Sequence, residues 1–241
     1  MTINEIYKAA LRLMFANYEE DLDATGWNVD SCGNETYLAY LRNMREPLNR
    51  CLGIFERSGV LPPHRLVIKR YDGAGVVTSN LTDGVLTLGN GSKTDEETAL
   101  ASLGVELGTY RNKYVLGTLA NGFIGIVDVR SETDSNYTVS VGYTMEGDTL
   151  VLGTPAKGER QIIMYKKRLT RVPATAAYTY NVDLPDELCE LIPYFIKAEL
   201  YEEDEPQLAV VARNYFEAAL EDCRRVEGGQ TGVIDVFGFR S

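Results

Sequence analysis

The sequence DLPDELCELIPYFIKAELYEEDE, residues 183–205, decides the fold of this chain. It begins as helices begin, with Asp183 as a capping residue and Pro185 in the first turn, followed by two acidic residues that favour the positive end of the helix dipole. Apolar residues then recur at helical spacing: Leu188, Leu191, Ile192, Phe195 and Leu200. An amphipathic helix does not bury its apolar face alone, so this face predicts partner helices elsewhere in the chain.

Two of the predicted partners lie at the start of the chain. Residues 2–20 open with a capping box, because Thr2 is followed by Glu5 three positions later. Residues 34–58 carry apolar side chains at steps of three and four and end before Gly59, which suits the left-handed cap position. Both segments are therefore predicted to be amphipathic helices.

The fourth helix is predicted over residues 205–226. Its apolar face would consist of Leu208, Ala212, Tyr215, Ala219 and Cys223. Proline inside a helix bends it, so we expect kinks at Pro47 in the second helix and at Pro193 in the third. Across the four helices, the residues predicted to be buried together are Leu41, Met44, Leu48, Phe195, Ala212 and Tyr215.

Between the helical ends, the chain predicts β-structure. Short apolar stretches alternate with turn sequences such as Asp83-Gly84 and Asn121-Gly122, a pattern typical of an antiparallel sandwich or jelly roll. The predicted strands are Arg65–Tyr71, Val85–Leu88, Val105–Leu107, Tyr114–Leu116, Phe123–Val129, Tyr137–Tyr143, Thr149–Leu152 and Arg160–Lys166.

The expected fold class is therefore α+β. A discontinuous helical bundle would be built from residues 1–64 and 173–229, with an antiparallel, jelly-roll-like β-sandwich inserted at 65–172. Gly228-Gly229 would end the last helix and release a tail, residues 230–241.

Composition narrows the function classes. The 241 residues carry a formal net charge of −11, which argues against a protein that wraps nucleic acid, although it suits a wall that DNA slides past. We find no apolar run long enough for a membrane span and no secretory signal. The four cysteines are expected to be free thiols in a reducing cytoplasm, and a disulfide such as Cys51 to Cys189 remains an alternative.

The sequence predicts no catalytic, cofactor-binding or metal-binding residue. His64 is the single histidine, and it falls at a helix–strand joint where a structural role is expected. No Cys or His residues cluster with the spacing of a zinc site, and no pair of carboxylates stands out for glycoside hydrolysis. The abundant tyrosines leave carbohydrate binding open as an alternative, with Tyr110, Tyr114, Tyr137 and Tyr143 in the β region.

Three surfaces are candidates for contacts with other proteins. The first is the apolar tail, with Val233, Ile234, Val236, Phe237 and Phe239, which would add as a strand to a neighbour's sheet edge or fold back on its own bundle. The second is an acidic turn, Glu202, Glu203, Asp204 and Glu205, a candidate for a lumen-facing or partner-facing position. The third is a basic cluster, Lys166, Lys167, Arg168 and Arg171, expected either to be solvated or to contact an acidic neighbour.

Several stretches resemble the head–tail connector, or adaptor, proteins of tailed bacteriophages. They lie mainly in the helical ends: Glu5–Leu11, Tyr37-Leu38, Pro47–Arg50, Gln161–Arg168, Asp183–Glu205 and Ala209–Leu220. The resemblance implies a structural virion protein, made in the cytoplasm of the bacterial host and assembled as a closed, twelvefold ring at the neck of the particle.

Further expectations follow from this resemblance. The ring would contact the portal and tail or neck proteins, and DNA would pass through it without specific binding or any membrane contact. The inserted β domain is larger than the one that small helical adaptors carry. A carbohydrate-binding or host-recognition module of a virion is the alternative function, and a glycan-active enzyme on the jelly roll is a third.

Overall fold

A computed structural model describes residues 1–15, 22, 27–132, 138–156 and 158–230, without the side chains of 93 and 226–230. The structure is a mixed α+β fold with two sheets. It divides into two compact units, which we call the helical unit (Met1–Leu61 with Leu169–Ser241) and the β unit (Pro62–Arg168). The second unit thus begins and ends a few residues before the predicted insertion at 65–172.

Eight α-helices are described. In chain order they are α1 Ile3–Met14, α2 Glu35–Leu41, α3 Arg45–Ser58, α4 Lys93–Ser102, α5 Leu116–Leu119, α6 Asp186–Cys189, α7 Ile192–Leu200 and α8 Pro206–Gln230. The predicted capping box is confirmed, because the Glu5 amide donates to Thr2 Oγ1 at 3.3 Å and the Thr2 amide donates to Glu5 Oε2 at 2.7 Å. Gly59 ends α3 with φ 80°, also as predicted.

The predicted kinks at the two prolines are wrong, because both helices are interrupted before the proline. The predicted second helix is interrupted between α2 and α3, and Pro47 lies in the first turn of α3. Pro193 likewise falls in the first turn of α7, after the break that follows α6. First-turn amides have no partner within the helix, so proline loses no hydrogen bond at these positions.

The helices of the helical unit share one hydrophobic core drawn from both ends of the chain. Ile6 and Leu11 of α1, Leu48 of α3 and Ile192 of α7 have at most 1% of their surface exposed. Such burial of apolar surface is the main favourable term in folding, so neither end of the chain has a complete core without the other.

The apolar face predicted for α8 needs correction. Leu41, Met44, Leu48, Phe195 and Ala212 are buried as predicted, but Tyr215 is 52% exposed. The buried positions of α8 are instead Ala209, Ala212, Phe216 and Leu220. Phe216 is held there by aromatic contacts, with ring centroids 5.1 Å from Phe195 and 6.0 Å from Phe55.

Residues 169–182 return the chain to the helical unit and are fixed by hydrogen bonds rather than by regular structure. The side chain of Asn49 on α3 makes the pair of hydrogen bonds that a neighbouring strand would make. Its Nδ2 donates to the Val172 carbonyl at 3.1 Å, and its Oδ1 accepts from the Val172 amide at 2.8 Å. Arg45 donates to the carbonyls of Ala174 at 2.7 Å and Ala176 at 3.1 Å, and also to that of Pro173. The first-turn amides of α1 are satisfied here too, since Ile3 donates to the Tyr180 carbonyl at 3.0 Å.

Ten strands are described in the β unit. They are β1 His64–Arg70, β2 Asn80–Thr82, β3 Val85–Leu88, β4 Val105–Glu106, β5 Arg111–Val115, β6 Phe123–Glu132, β7 Thr138–Ser140, β8 Thr144–Glu146, β9 Thr149–Gly153 and β10 Arg160–Lys167. One sheet has six strands in the order β2-β3-β1-β10-β6-β7, and the other has four in the order β4-β5-β9-β8. Side chains from both sheets meet in a single core.

The β unit departs from the all-antiparallel prediction at one pair, because β1 and β3 run parallel. After β1 the chain passes to the sheet edge as β2 and then turns back at Asp83-Gly84 to insert β3 beside β1. Both turn residues have positive φ, 49° and 73°, which is the geometry of a tight hairpin turn. The helices α4 and α5 were also not predicted within this region.

A buried polar cluster fixes β5 within the second core. Asn112 is fully buried, and its amide donates to Tyr114 Oη at 3.0 Å while its carbonyl accepts from Thr154 Oγ1 at 3.1 Å. Gln161 joins the two sheets, because its amide on β10 donates to the Gly153 carbonyl on β9 at 2.9 Å. The side-chain amide nitrogens of the buried Asn112 and Gln161 thus have hydrogen-bond partners, which favours one arrangement of the sheets.

Candidate functional site

The acidic turn Glu202–Glu205 lies between α7 and α8 and is fully exposed. The Glu205 carbonyl accepts from the Ala209 amide at 3.0 Å and so begins α8, whose positive dipole end favours the carboxylates nearby. Burial raises the pKa of Tyr201, and the neighbouring Tyr40, Glu205 and Asp204 raise it further. The turn is thus a concentrated negative charge at the start of the longest helix.

Next to this turn, α8 carries an exposed apolar stripe that sequence reasoning missed. Leu208, Val211 and Tyr215 are 45%, 65% and 52% exposed and lie on one side of the helix, at spacings of three and four. Tyr194 of α7 stacks on Tyr215 with ring centroids 4.1 Å apart. We call Leu208, Val211 and Tyr215 the α8 stripe. The error in the predicted helical face hid it, since two of these residues had been placed in the core.

The residues of the predicted basic cluster fall in both units. Lys166 and Lys167 end β10 and Arg168 follows them, all in the β unit. Arg171 belongs to the helical unit, where its guanidinium lies 3.4 Å from the Glu56 carboxylate of α3. Arg171 therefore has a structural role within the helical unit.

Lys166 instead belongs to a surface that the sequence did not reveal, the outer face of the six-stranded sheet. Leu66 and Ile68 of β1 and Ile163 of β10 point into the core, so alternation places their neighbours on the opposite side. Residues paired across the strands form an apolar row there: Val85, Val67 and Ile162. On β6, Ile124 and Val127 are 45% and 44% exposed, and Val127 is the extra residue of a β-bulge opposite the step from Met164 to Tyr165.

The charged residues around this apolar row are mostly basic. By strand alternation and register, the outer face carries five basic and two acidic side chains: Arg65, Lys69, Arg130, Arg160, Lys166, Asp128 and Glu132. Two ion pairs use both carboxylates, with Arg130 at 2.5 Å from Asp128 and Arg65 at 4.0 Å from Glu132. Within the part of the chain that the structure describes, Lys69, Arg160 and Lys166 make no ion pair. We call this surface, apolar row and basic surround together, the basic sheet face.

Charge is divided unequally between the two units. The β unit, residues 62–168, contains 12 basic and 12 acidic residues, so its formal net charge is zero. The remaining 12 basic and 23 acidic residues fall in the helical unit, which therefore carries the whole net charge of −11. This division could have been read from the sequence once the boundaries were known.

A largely buried carboxylate links three helices of the helical unit through ion pairs. Glu199 of α7 has 12% of its side chain exposed and pairs with Arg50 of α3 at 2.8 Å and with Arg213 of α8 at 2.9 Å. The two arginines compensate the cost of burying this charge. The arrangement ties three helices together, and its role is structural.

The described residues contain no cluster of three or more His, Cys, Asp or Glu side chains placed to bind a metal ion. His64 is exposed at the start of β1, with its ring 5.7 Å from that of Tyr165. In the β unit, an open groove of about 710 Å³ contains Glu97, Glu106 and Glu146, and Lys113 lies 3.8 Å from Glu106.

The remaining predicted residues have separate fates. Among the tyrosines of the β region, Tyr114 is in the core, whereas Tyr110 and Tyr143 are 84% and 42% exposed. Tyr137 lies outside the described residues, as do the tail positions Val233, Ile234, Val236, Phe237 and Phe239. The four cysteines, Cys32, Cys51, Cys189 and Cys223, are free thiols.

Comparison with known proteins assigns no family and no function to these surfaces. Among the described residues, no helix is both long and apolar enough to cross a membrane. No protein-family model matches the chain, and no curated protein matches it significantly.

Proposed function

We propose that this chain is a structural subunit of a head–tail connector ring, placed between the portal and the tail of a tailed bacteriophage. One observation carries the proposal: the two ends of the chain build one helical core, and the β unit is inserted between them in the sequence. This plan offers two separate surfaces, one on each unit, to neighbouring proteins. The resemblance of the helical ends to connector proteins agrees with it.

The division of charge supports the same role. In a ring, the acidic helical unit would line the lumen, where negative charge repels the DNA backbone and lets DNA pass without specific binding. The β unit, for which we propose the sandwich role expected from the sequence, has no net charge and would face protein neighbours. The acidic turn Glu202–Glu205 would then face the lumen or the portal.

The solution mass of the purified chain tests the ring. Native mass spectrometry and negative-stain electron microscopy should show one closed, cyclic oligomer, twelvefold by resemblance. A chain that remains a 26.8 kDa monomer at every concentration, and that also fails to bind a portal ring, would contradict the proposal.

The tail has its own test. The last helix continues to Gln230, so the predicted helix end at Gly228-Gly229 is wrong. We propose that the rest of the predicted tail 230–241, residues 231–241, docks onto a neighbour, with main-chain hydrogen bonds and alternate apolar side chains giving the affinity. A chain that ends at Gln230 should fold and melt like the full chain but fail to dock onto the portal ring. Equal docking by the shortened chain would remove the tail from the proposal.

A carbohydrate-binding role for the β unit is the second candidate. The exposed Tyr110 and Tyr143 precede β5 and β8, which run in the same direction because both pair antiparallel with β9. Both rings therefore lie at one end of the four-stranded sheet, where aromatic faces could stack on a sugar. Glycan-array binding that is lost in Tyr110→Ala would favour this candidate, and an array without binding would remove it.

A further inference from the structure

Two surfaces of the described chain combine apolar side chains with charges of opposite sign. The α8 stripe is exposed, and the apolar row of Val67, Val85 and Ile162 is partly exposed. The α8 stripe adjoins four carboxylates in the turn Glu202–Glu205. The basic sheet face has an apolar row beside Lys69, Arg160 and Lys166. We propose that the basic sheet face of one copy binds the α8 stripe and acidic turn of a second copy. The inference rests on the proposed ring and identifies the contact that would build it.

Charge complementarity is the first argument for this partner. The β unit has no net charge, yet its outer sheet face has three more basic than acidic side chains. The net charge of the chain is −11 and lies in the helical unit. A second copy therefore brings the acidic surface that a basic patch selects, and the acidic turn places four such charges beside an apolar strip.

Size and shape are the second argument. The α8 stripe extends from Leu208 to Tyr215, roughly 11 Å at the 1.5 Å rise of an α-helix. The apolar row crosses three strands, about 10 Å at the usual strand spacing, and on β6 the residue in register with it is Arg130. A helix that lies across a sheet covers an area of this size, and helix on sheet is a common packing of two layers.

The contact would be heterologous, because the two surfaces differ and lie on different units. Each copy that binds one neighbour through its sheet still has a free α8 stripe for the next. Repetition of such a contact closes into a ring when the rotation between copies divides a full turn, and otherwise grows as a filament. A symmetric dimer leaves neither surface free and cannot grow in this way.

Two charge-reversed chains test the contact. Variant S replaces Lys69, Arg160 and Lys166 with Glu, and variant T replaces Glu202, Glu203 and Asp204 with Lys. In S alone, an acidic sheet face would meet the acidic turn of the next copy, and in T alone, a basic turn would meet the basic sheet face. Each variant should therefore associate on the order of 100-fold more weakly than wild type. Mixed in equal amounts, S and T should assemble again, because every contact in an alternating S–T oligomer is complementary.

Matched controls separate this contact from general charge effects. Arg111→Glu alters an exposed residue on the other sheet, and Glu217→Lys alters the side of α8 away from the stripe; both should assemble like wild type. Light scattering after size exclusion gives the masses, and circular dichroism confirms that each variant is folded. Because the interaction is electrostatic, assembly should weaken between 0.1 M and 1 M salt, where the screening length falls from about 10 Å to about 3 Å.

The outcomes distinguish the contact from the ring. Wild type that assembles while S and T assemble equally well overturns this contact and leaves the ring intact. Failure of the S–T mixture to assemble, with both variants folded, also overturns it. Wild type that never associates overturns both. Salt-sensitive retention of duplex DNA by wild type, lost in S, would assign the basic sheet face to nucleic acid instead.

Discussion

At the scale of single residues, side-chain hydrogen bonds to the backbone hold the helical unit together where no regular structure does. Asn49 makes two hydrogen bonds with Val172. Arg45 donates to three carbonyls in residues 169–182, where the chain returns to the helical unit. These bonds satisfy backbone groups that would otherwise be left without partners on leaving water. The return of the chain to the helical core therefore depends on a few polar residues of α3.

Asn49→Ala should lower the free energy of unfolding of the helical unit by about 2–3 kcal/mol, because it removes two hydrogen bonds and leaves the Val172 amide and carbonyl unpaired. Urea unfolding followed by circular dichroism measures this. Asn43→Ala is the matched control: the exposed Asn43 side chain donates to the Ala39 carbonyl, four residues earlier, so its change should stay within about 0.5 kcal/mol. Equal effects of the two substitutions would contradict the role given to Asn49.

Buried tyrosines predict sensitivity to alkali. Burial raises the pKa of Tyr7 to about 12 from 10.0, and the Arg45 guanidinium opposes part of this rise. The folded state thus holds the phenol proton more tightly than the unfolded state. The corresponding stability is fully present below pH 10 and is lost as the pH rises toward 12.

Tyr7→Phe should remove this dependence. At pH 11 the gain over wild type, relative to the difference at pH 8, should be about 1.4 kcal/mol, the value of one pKa unit. Urea midpoints measured at both pH values give the comparison, with the surface substitution Tyr215→Phe as control. Parallel losses in wild type and Tyr7→Phe would show that Tyr7 is not the responsible group.

The error at Tyr215 shows what sequence patterns can and cannot decide for single residues. Met44 stands between Asn43 and Arg45, so its spacing from Leu41 and Leu48 alone places it in the core. In α8, however, Leu208 through Ala212 are five consecutive apolar residues, and Tyr215 is followed by Phe216. Helical periodicity is degenerate there, and the buried side is chosen by packing on Phe55 and Phe195.

At the scale of elements, local signals were sufficient where they were strong. Gly59 and the Thr2–Glu5 box mark real helix ends. The helix α4 has little apolar periodicity, because Leu100 alone is buried among its described side chains, and the sequence did not predict it for that reason. Its start is nevertheless marked by Ser92, whose hydroxyl accepts from the Asp95 amide at 3.3 Å, and a Ser followed by an acid three positions later is a capping signal.

The capping box of α1 gives a prediction at this scale. Thr2→Ala should cost about 1 kcal/mol, because the Glu5 amide loses its acceptor. Thr2→Ser retains the hydroxyl and should differ from wild type by only a few tenths of a kcal/mol. Thermal melting of the three proteins measures the difference, and indistinguishable melting temperatures would mean that the cap adds nothing to the folded chain.

At the scale of the whole molecule, the sequence predicted the α+β class but not the sheet topology. Strand positions follow from turn chemistry, whereas the parallel pairing of β1 with β3 depends on contacts between distant residues. The basic sheet face was unpredictable for the same reason: Val67, Val85 and Ile162 come together only through strand register. Surfaces made by long-range pairing are not visible in local periodicity.

The discontinuous helical unit makes a final prediction. Leu61 and Leu169, which border the β unit, both pack against the helical core, so a short Gly/Ser linker between them should replace residues 62–168. The shortened chain should keep its helical circular dichroism and unfold in one cooperative transition, because its core residues all remain. In that background Phe195→Ala should cost about 3–5 kcal/mol, since Phe195 is 4% exposed and packs on Phe216 of α8. A linked chain without cooperative unfolding would show that the helical unit depends on the β unit, and a negligible cost for Phe195→Ala would place that residue outside the core.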